Sequence, residues 1–121
     1  MTWTLRKALS IQGAHHLPGH TGKCSGLHGH RWDVTIEVVT SHLKGGMVID
    51  FHALRDIVET LDHSDLNDTI EYPTAEHVAK WIAMEVYQLA RHCHLIRVDV
   101  EEDRGSFISY EVSVAELASR E

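Results

Sequence analysis

The residues of this sequence that are best suited to chemistry are its histidines. There are eleven, as many as the lysines and arginines combined, and five of them (His15, His16, His20, His28 and His30) lie close together in the first quarter of the chain. His28 and His30 are separated by one glycine, and residues two apart on a β-strand point to the same face. Neutral imidazole is a good zinc ligand, and a catalytic zinc uses three protein ligands and leaves one position open. The His-Gly-His triplet therefore predicts two of the three ligands of a zinc site.

The third ligand is predicted from the alternation of residues in the segment before the triplet. His15 and His16 are adjacent, but only His15 continues the inward-facing parity of Leu9 and Ile11. We therefore choose His15 as the third ligand. The alternative, that histidines at a strand start are solvated and bind nothing, stays open at this point, although a third histidine in phase weighs against it.

A cysteine lies near this predicted zinc site. Cys24 precedes His28 by four residues and sits in a glycine-rich loop beside a lysine. A thiol next to a cation and a metal can have a lowered pKa and serve as a nucleophile or a base. Two alternatives remain for Cys24, a zinc ligand or an inert thiol of the kind that we assume for Cys93.

A carboxylate and an imidazole are adjacent after the first predicted helix. Asp62 and His63 can form an acid–base pair, because a carboxylate orients a neighbouring imidazole and stabilises its charged form. The simpler interpretation is a histidine at a helix C-terminus, where a positive charge is favourable.

Glu102 is the most informative single carboxylate. It continues the apolar parity of Ile96, Val98 and Val100, which predicts that its side chain points inward. Burying an unpaired charge there costs folding free energy, so Glu102 needs a partner such as the cationic or amidine-like edge of a ligand. The alternative is that the strand ends at Val100 and leaves Glu102 in solvent.

Other polar residues near these positions have simpler explanations. Thr74 and Glu76 are suited to be the N-cap and a first-turn acid of a helix. Glu101 and Asp103, which flank Glu102, are assigned to a solvated surface.

The elements that must position these residues are predicted in the order ββααββ. Apolar residues alternate with period two in the first and last thirds of the chain and recur at helical spacing in between. The predicted strands are Trp3–His16, His28–Val39, Ile96–Asp103 and Ile108–Val114, and the predicted helices contain Phe51–Leu61 and Val78–Ala90.

This element order favours an α+β fold. Strands and helices come in runs, so we expect an antiparallel four-stranded sheet with two helices on one face. Residues 1–121 show no repeat or linker, which predicts a single domain. The unpaired edge strands make oligomerisation plausible.

The composition excludes several classes of protein. An apolar fraction of 43% and a charged fraction of 24% are ordinary for a globular chain. No apolar run approaches the roughly 20 residues of a membrane span, and a net charge of −7 argues against nucleic acid as the partner. Two cysteines and no apparent secretory signal lead us to expect reduced thiols in the cytoplasm.

Six segments between about residues 11 and 102 form a collinear set of motifs. They are GAHHLPG, GKCSGLHGH, GMVIDFHALR, LDHSDLND, PTAEHVAKWI and VDVEE. The triplet HGH alone would be weak evidence for any family, but Cys-x3-His-Gly-His followed by the other motifs in this order is a specific signature. In this set the chain resembles the 6-pyruvoyl-tetrahydropterin synthase / 6-carboxytetrahydropterin synthase family.

The resemblance implies a fold, an assembly and a metal. The family has the tunnelling fold (T-fold), in which ββααββ subunits join their sheets into barrels, typically as trimers paired into hexamers. The resemblance implies zinc on His15, His28 and His30. It also implies a pocket that is formed between subunits, and hence a homohexamer in solution.

The resemblance also implies roles for the other candidate residues. Cys24 corresponds to the catalytic thiol, with Asp62 and His63 as its acid–base partner. Glu102 corresponds to the residue that binds the amino-pyrimidinone edge of the pterin, whose adjacent N–H donors suit a carboxylate. Thr74 and Glu76 are similar to further residues of the pterin pocket.

The implied reaction uses a pterin triphosphate and no external redox cofactor. Three residues separate Cys24 from His28, a spacing that resembles the bacterial 6-carboxytetrahydropterin synthases of queuosine synthesis. The expected reaction converts 7,8-dihydroneopterin triphosphate to 6-carboxy-5,6,7,8-tetrahydropterin, acetaldehyde and triphosphate. The alternatives are a 6-pyruvoyl-forming synthase and a non-catalytic, histidine-rich zinc-binding protein. A zinc deaminase is disfavoured, because the H-x-E…P-C-x-x-C pattern is absent.

Overall fold

Two long antiparallel strands form the centre of the molecule. The computed structural model describes residues 1–20, 22 and 25–121, and Cys24 lies outside them. The elements are β1 (Trp3–His15), β2 (His28–Thr40), α1 (Phe51–Glu59), β3 (Ser64–Asp65), a 3-10 turn (Leu66–Asp68), α2 (Ala75–Tyr87), β4 (Leu95–Glu102), β5 (Ser106–Ser113) and α3 (Val114–Ser119).

The strands form one mixed sheet in the order β3-β1-β2-β4-β5. The pairs β1–β2, β2–β4 and β4–β5 are antiparallel, as predicted. The prediction of four strands is wrong in one respect, because β3 adds a fifth strand that runs parallel to β1 beside Gly13 and Ala14. A strand of only two residues is too short to give a period-two signal.

A side-chain cap fixes the start of each helix. Asp50 accepts a hydrogen bond from the His52 N–H at the start of α1, and Thr74 accepts one from the His77 N–H at the start of α2. The prediction that the last strand includes Val114 is wrong, since Ser113 caps α3 at that point.

The inward face of the sheet and the helices share one hydrophobic core. Along β2 the alternating residues Trp32, Val34, Ile36 and Val38 are at most 1% exposed and pack in the same cluster as apolar residues of α1 and α2. The predicted α+β arrangement, with two helices covering one face of the sheet, is confirmed. None of the helices in the described ranges is long and apolar enough to cross a membrane.

Candidate active site

Three histidines meet where β1 and β2 pair at one end of the sheet. His15 lies directly opposite His28 in the register, and His30 lies opposite Gly13. The ring centroids of the three histidines are 4.5 to 4.9 Å apart. One ligand atom from each residue lies within 4.8 Å of the others, and within the described part of the chain this is the one cluster suited to a metal ion.

The hydrogen bonds of these histidines determine which ring nitrogen is available. The Nδ1 of His15 lies 2.7 Å from the carbonyl oxygen of Pro73, and the Nδ1 of His28 lies 2.7 Å from that of Gly26. A carbonyl oxygen only accepts, so both Nδ1 atoms carry a proton, and Nε2 is the nitrogen that either ring can offer to a metal ion. The residues therefore fit the donor set of a three-histidine metal centre.

The third ring is held by a carboxylate. The Nδ1 of His30 bonds to Oδ2 of Asp103, a residue in the turn between β4 and β5. The sequence assigns Asp103 to a solvated surface. In the structure its carboxylate also holds the His30 ring. The sequence does not reveal this role of Asp103, because the residue lies in a turn with a φ of 54°, where strand periodicity carries no information.

His15 is the most deeply buried of the three. Its exposure is 2%, and burial lowers its pKa below the ordinary value of 6.5, although the bond to Pro73 and the nearby Glu102 act in the opposite direction. The ring is thus neutral at pH 7, as a metal ligand must be. The neighbouring His16 lies outside this cluster, and the Asn67 side chain binds its backbone N–H and carbonyl at 2.9 and 3.0 Å.

Glycine at position 13 suits the tight packing beneath the cluster. A Cβ on Gly13 would lie 3.2 Å from the Leu66 side chain and 3.3 Å from Nε1 of Trp32, both closer than ordinary contacts. The Gly13 carbonyl also accepts a hydrogen bond from Trp32 Nε1 at 3.1 Å. The Trp32 ring thus packs against the histidines, with its centroid 5.1 Å from that of His15 and 5.7 Å from that of His30.

Glu102 lies beside the cluster and faces a cavity. One of its carboxylate oxygens is 3.5 Å from Nε2 of His15, and its side chain is 28% exposed. The cavity has a volume of about 430 Å³ and is also lined by Thr74, Glu76 and Tyr72. The structure therefore brings the three residues predicted to bind substrate to one cavity, and Thr74 serves as the predicted N-cap at the same time.

Asp62 and His63 lie on a different side of the cluster. Their side chains are 3.0 Å apart, from Oδ1 to Nδ1, and the Gln12 N–H donates to the same Oδ1 at 2.8 Å. This backbone hydrogen bond, with His63 acting in the same direction, lowers the pKa of Asp62. The His63 side chain is 78% exposed and borders a second cavity, of about 460 Å³, which His30 also lines.

Two cavities thus border the predicted site: Glu102, Thr74 and Glu76 line one, and His30 and His63 line the other. A larger cavity of about 650 Å³ lies beside α2, is lined by residues such as Tyr72, Trp81 and Met84, and contains none of them. Cys24 lies outside the described residues, so its role stays a prediction from the sequence.

Fold and site together define an α+β subunit of the tunnelling fold with a candidate metal centre. Residues 4–113 match the family described as 6-pyruvoyl tetrahydropterin synthase. The chain belongs to this family, which confirms the resemblance inferred from the motifs and the prediction of a pterin-synthase lyase.

Individual relatives agree with this assignment. The 6-carboxy-5,6,7,8-tetrahydropterin synthase of Synechocystis is 40% identical over 92 residues, which cover 66% of this chain and 71% of the relative. A relative from Archaeoglobus fulgidus, given the same name provisionally, is 35% identical over 103 residues, covering 82% of this chain and 89% of its own length. The solved structure of Caenorhabditis elegans 6-pyruvoyl tetrahydropterin synthase is similar in fold, with a TM-score of 0.72, 21% identity and coverage of 93% of this chain and 97% of that one.

Proposed function

We propose that the protein is a zinc-dependent 6-carboxytetrahydropterin synthase acting on 7,8-dihydroneopterin triphosphate. The observation that carries the proposal is a three-histidine cluster suited to a metal ion beside Glu102, which lies 3.5 Å from His15 and lines a cavity together with Thr74 and Glu76. The names of the relatives from Synechocystis and Archaeoglobus support this product over others.

His15, His28 and His30 would hold the zinc through the ring nitrogens that their hydrogen bonds leave available. A zinc ion bound there would supply Lewis acidity, which makes neighbouring C–H and O–H protons of a bound hydroxylated side chain easier to remove. The rest of the reaction depends on residues that bind the ring and move protons.

Glu102 would bind the amino-pyrimidinone ring. Its partly buried carboxylate can accept two parallel N–H bonds, and bonds to an ionised acceptor are stronger than neutral ones. Because Glu102 lies 3.5 Å from His15, a ring bound to it would keep its side chain close to the histidine cluster. Thr74 and Glu76 would line the same pocket.

Cys24, Asp62 and His63 would transfer protons between the substrate side chain and the ring as triphosphate departs. His63 suits this task because its ring is exposed and its Nδ1 is held by Asp62, which leaves Nε2 for proton exchange. No external redox cofactor is needed, because the two-electron oxidation of the side chain is balanced by reduction of the dihydropterin ring to the tetrahydropterin, and one water molecule is consumed.

We also propose that the active protein is a homohexamer. Within the described chain, β3 pairs only with Gly13 and Ala14, so the remainder of β1 offers an open edge on one side of the sheet, and β5 offers the other. Exposed edges of this length pair readily with further strands. Subunits joined edge to edge would form a barrel and complete the pockets between them, which light scattering would show as a mass several times that of one chain.

The test of the proposed function is product identification. Purified protein incubated with 7,8-dihydroneopterin triphosphate should give 6-carboxy-5,6,7,8-tetrahydropterin, acetaldehyde and triphosphate, as determined by mass spectrometry. The 6-pyruvoyl compound as sole product would assign the chain to the other branch of the family. We assign the expected product to 7-deazaguanine and queuosine synthesis in the cytoplasm.

A further inference from the structure

The three histidines of the cluster differ in what holds their Nδ1 atoms. His15 and His28 donate to backbone carbonyls, of Pro73 and Gly26, whereas His30 bonds to the carboxylate of Asp103. A carboxylate on the far nitrogen of a ligating histidine fixes the ring orientation and makes the other nitrogen a better donor to a metal.

Asp103 is itself held in place by the backbone of β2. Its Oδ1 accepts a hydrogen bond from the Arg31 N–H at 3.2 Å, and its own N–H donates to the Arg31 carbonyl at 2.8 Å. These two hydrogen bonds hold Asp103 against Arg31, the residue that follows His30 in the sequence. They also maintain its left-handed backbone, with a φ of 54°, which is unfavourable for a residue other than glycine.

We propose that Asp103 is a positioning residue that orients His30 for the metal and strengthens metal binding. The proposal rests on the proposed metal site and adds a residue that the family motifs do not include. Asp103 need not touch the metal or the substrate. It acts through the His30 ring, so its removal should weaken binding without removing a ligand.

The test compares zinc affinity among full-length variants. Asp103→Gly removes the carboxylate and relieves the left-handed backbone, and Asp103→Asn keeps an uncharged acceptor at a residue type that tolerates this conformation. Asp33→Asn is the matched control, because Asp33 is a nearby carboxylate that bonds to Ser10 and Arg31 and not to a histidine.

Zinc dissociation constants are measured by competition with a chelator. Asp103→Gly should weaken zinc binding about 10- to 100-fold, the usual effect of losing such a partner, with Asp103→Asn in between and Asp33→Asn within about twofold of the wild type. The absorption spectrum of bound Co²⁺ should change in Asp103→Gly, while the melting temperature of the metal-free protein should not fall.

Two results would overturn the proposal. One is an Asp103→Gly variant that binds zinc as tightly as the wild type, and the other is an equal loss in Asp33→Asn, which would indicate a general charge effect. A wild-type protein that binds no zinc would instead refute the proposed function, so the two failures are distinguishable.

Discussion

Two groups of three histidines lie at opposite ends of the sheet, His15, His28 and His30 at one end and His42, His92 and His94 at the other, and the chain arranges them differently. At the first end, the β1–β2 register places His15 opposite His28, and His30 follows on the same face. Their Nδ1 atoms bond to two carbonyls and a carboxylate, and one ligand atom from each lies within 4.8 Å of the others.

At the second end, where β2 ends and β4 begins, two of the histidines form hydrogen bonds through the other ring nitrogen, Nε2. The Nε2 of His92 bonds to the Val48 carbonyl at 2.8 Å, and the Nε2 of His94 bonds to the Ser41 hydroxyl. The rings of His42 and His94 have centroids 6.3 Å apart, farther than any pair at the first end.

The difference shows that the number of histidines does not determine where a metal binds. Strand register brings the rings together at the first end, and acceptors on Nδ1 leave the second nitrogens free. At the second end the rings of His42 and His94 lie farther apart, and the described residues there form no cluster suited to a metal ion. A histidine-rich metal buffer would need several such clusters, and the described residues provide one.

Replacing single histidines at the two ends should change zinc content and turnover more than any other substitution, and it tests this difference directly. His28→Ala and His30→Ala should each remove the metal and abolish turnover, because two imidazoles are too few for a catalytic site. His16→Ala, His92→Ala and His94→Ala should keep one zinc per chain, measured by metal analysis of purified protein. Loss of zinc in His94→Ala with retention in His28→Ala would reverse our assignment of the two ends.

The next effect concerns the two cysteines of the sequence, Cys24 and Cys93. Cys24→Ala should keep one zinc per chain but lower turnover by about 10²–10⁴-fold, the usual contribution of one positioned acid or base. Cys93→Ala is the control, since Cys93 is buried near the second end and should leave turnover within about twofold. Loss of zinc in Cys24→Ala would make the thiol a metal ligand instead.

The smallest effect is on stability and concerns Asp62, beside the first end. Its pKa in the folded protein lies below the ordinary 3.8, so the unfolded chain binds more protons in this range. The stability that the carboxylate contributes is therefore complete above about pH 3.8 and is lost as the pH falls through the folded pKa.

Asp62→Asn lacks this titration, so its difference in unfolding free energy from the wild type should shrink as the pH falls from 5 to 3. Urea unfolding of the metal-free proteins at several pH values measures this difference. A difference that stays constant over the range would show that the Gln12 hydrogen bond does not depend on the charge of Asp62.

Much of the first end could be predicted from the sequence. The alternation along β1 selected His15 over His16, and the structure groups His15 with His28 and His30. The parity of β4 also predicted that Glu102 points inward, and its carboxylate lies 3.5 Å from Nε2 of the buried His15. Both predictions depend on period-two geometry, which long strands enforce over their whole length.

The parts that could not be predicted lie where periodicity ends. The two-residue strand β3 depends on pairing with Gly13 and Ala14, residues distant in sequence. Asp103 reaches His30 only because the turn after β4 takes a left-handed conformation. The hydrogen-bond acceptors of His15 and His28 are backbone carbonyls, which the pattern of side chains along the sequence cannot reveal.

We propose that the first end of the sheet holds one catalytic metal ion. The most direct test is to strip the protein with a chelator, add zinc back in steps, and follow formation of the 6-carboxy pterin from 7,8-dihydroneopterin triphosphate. Turnover should be absent in the stripped protein, rise in proportion to added zinc and level off at one zinc per chain. Full turnover without metal, or a rise that continues to several zinc ions per chain, would contradict a site with one catalytic metal ion.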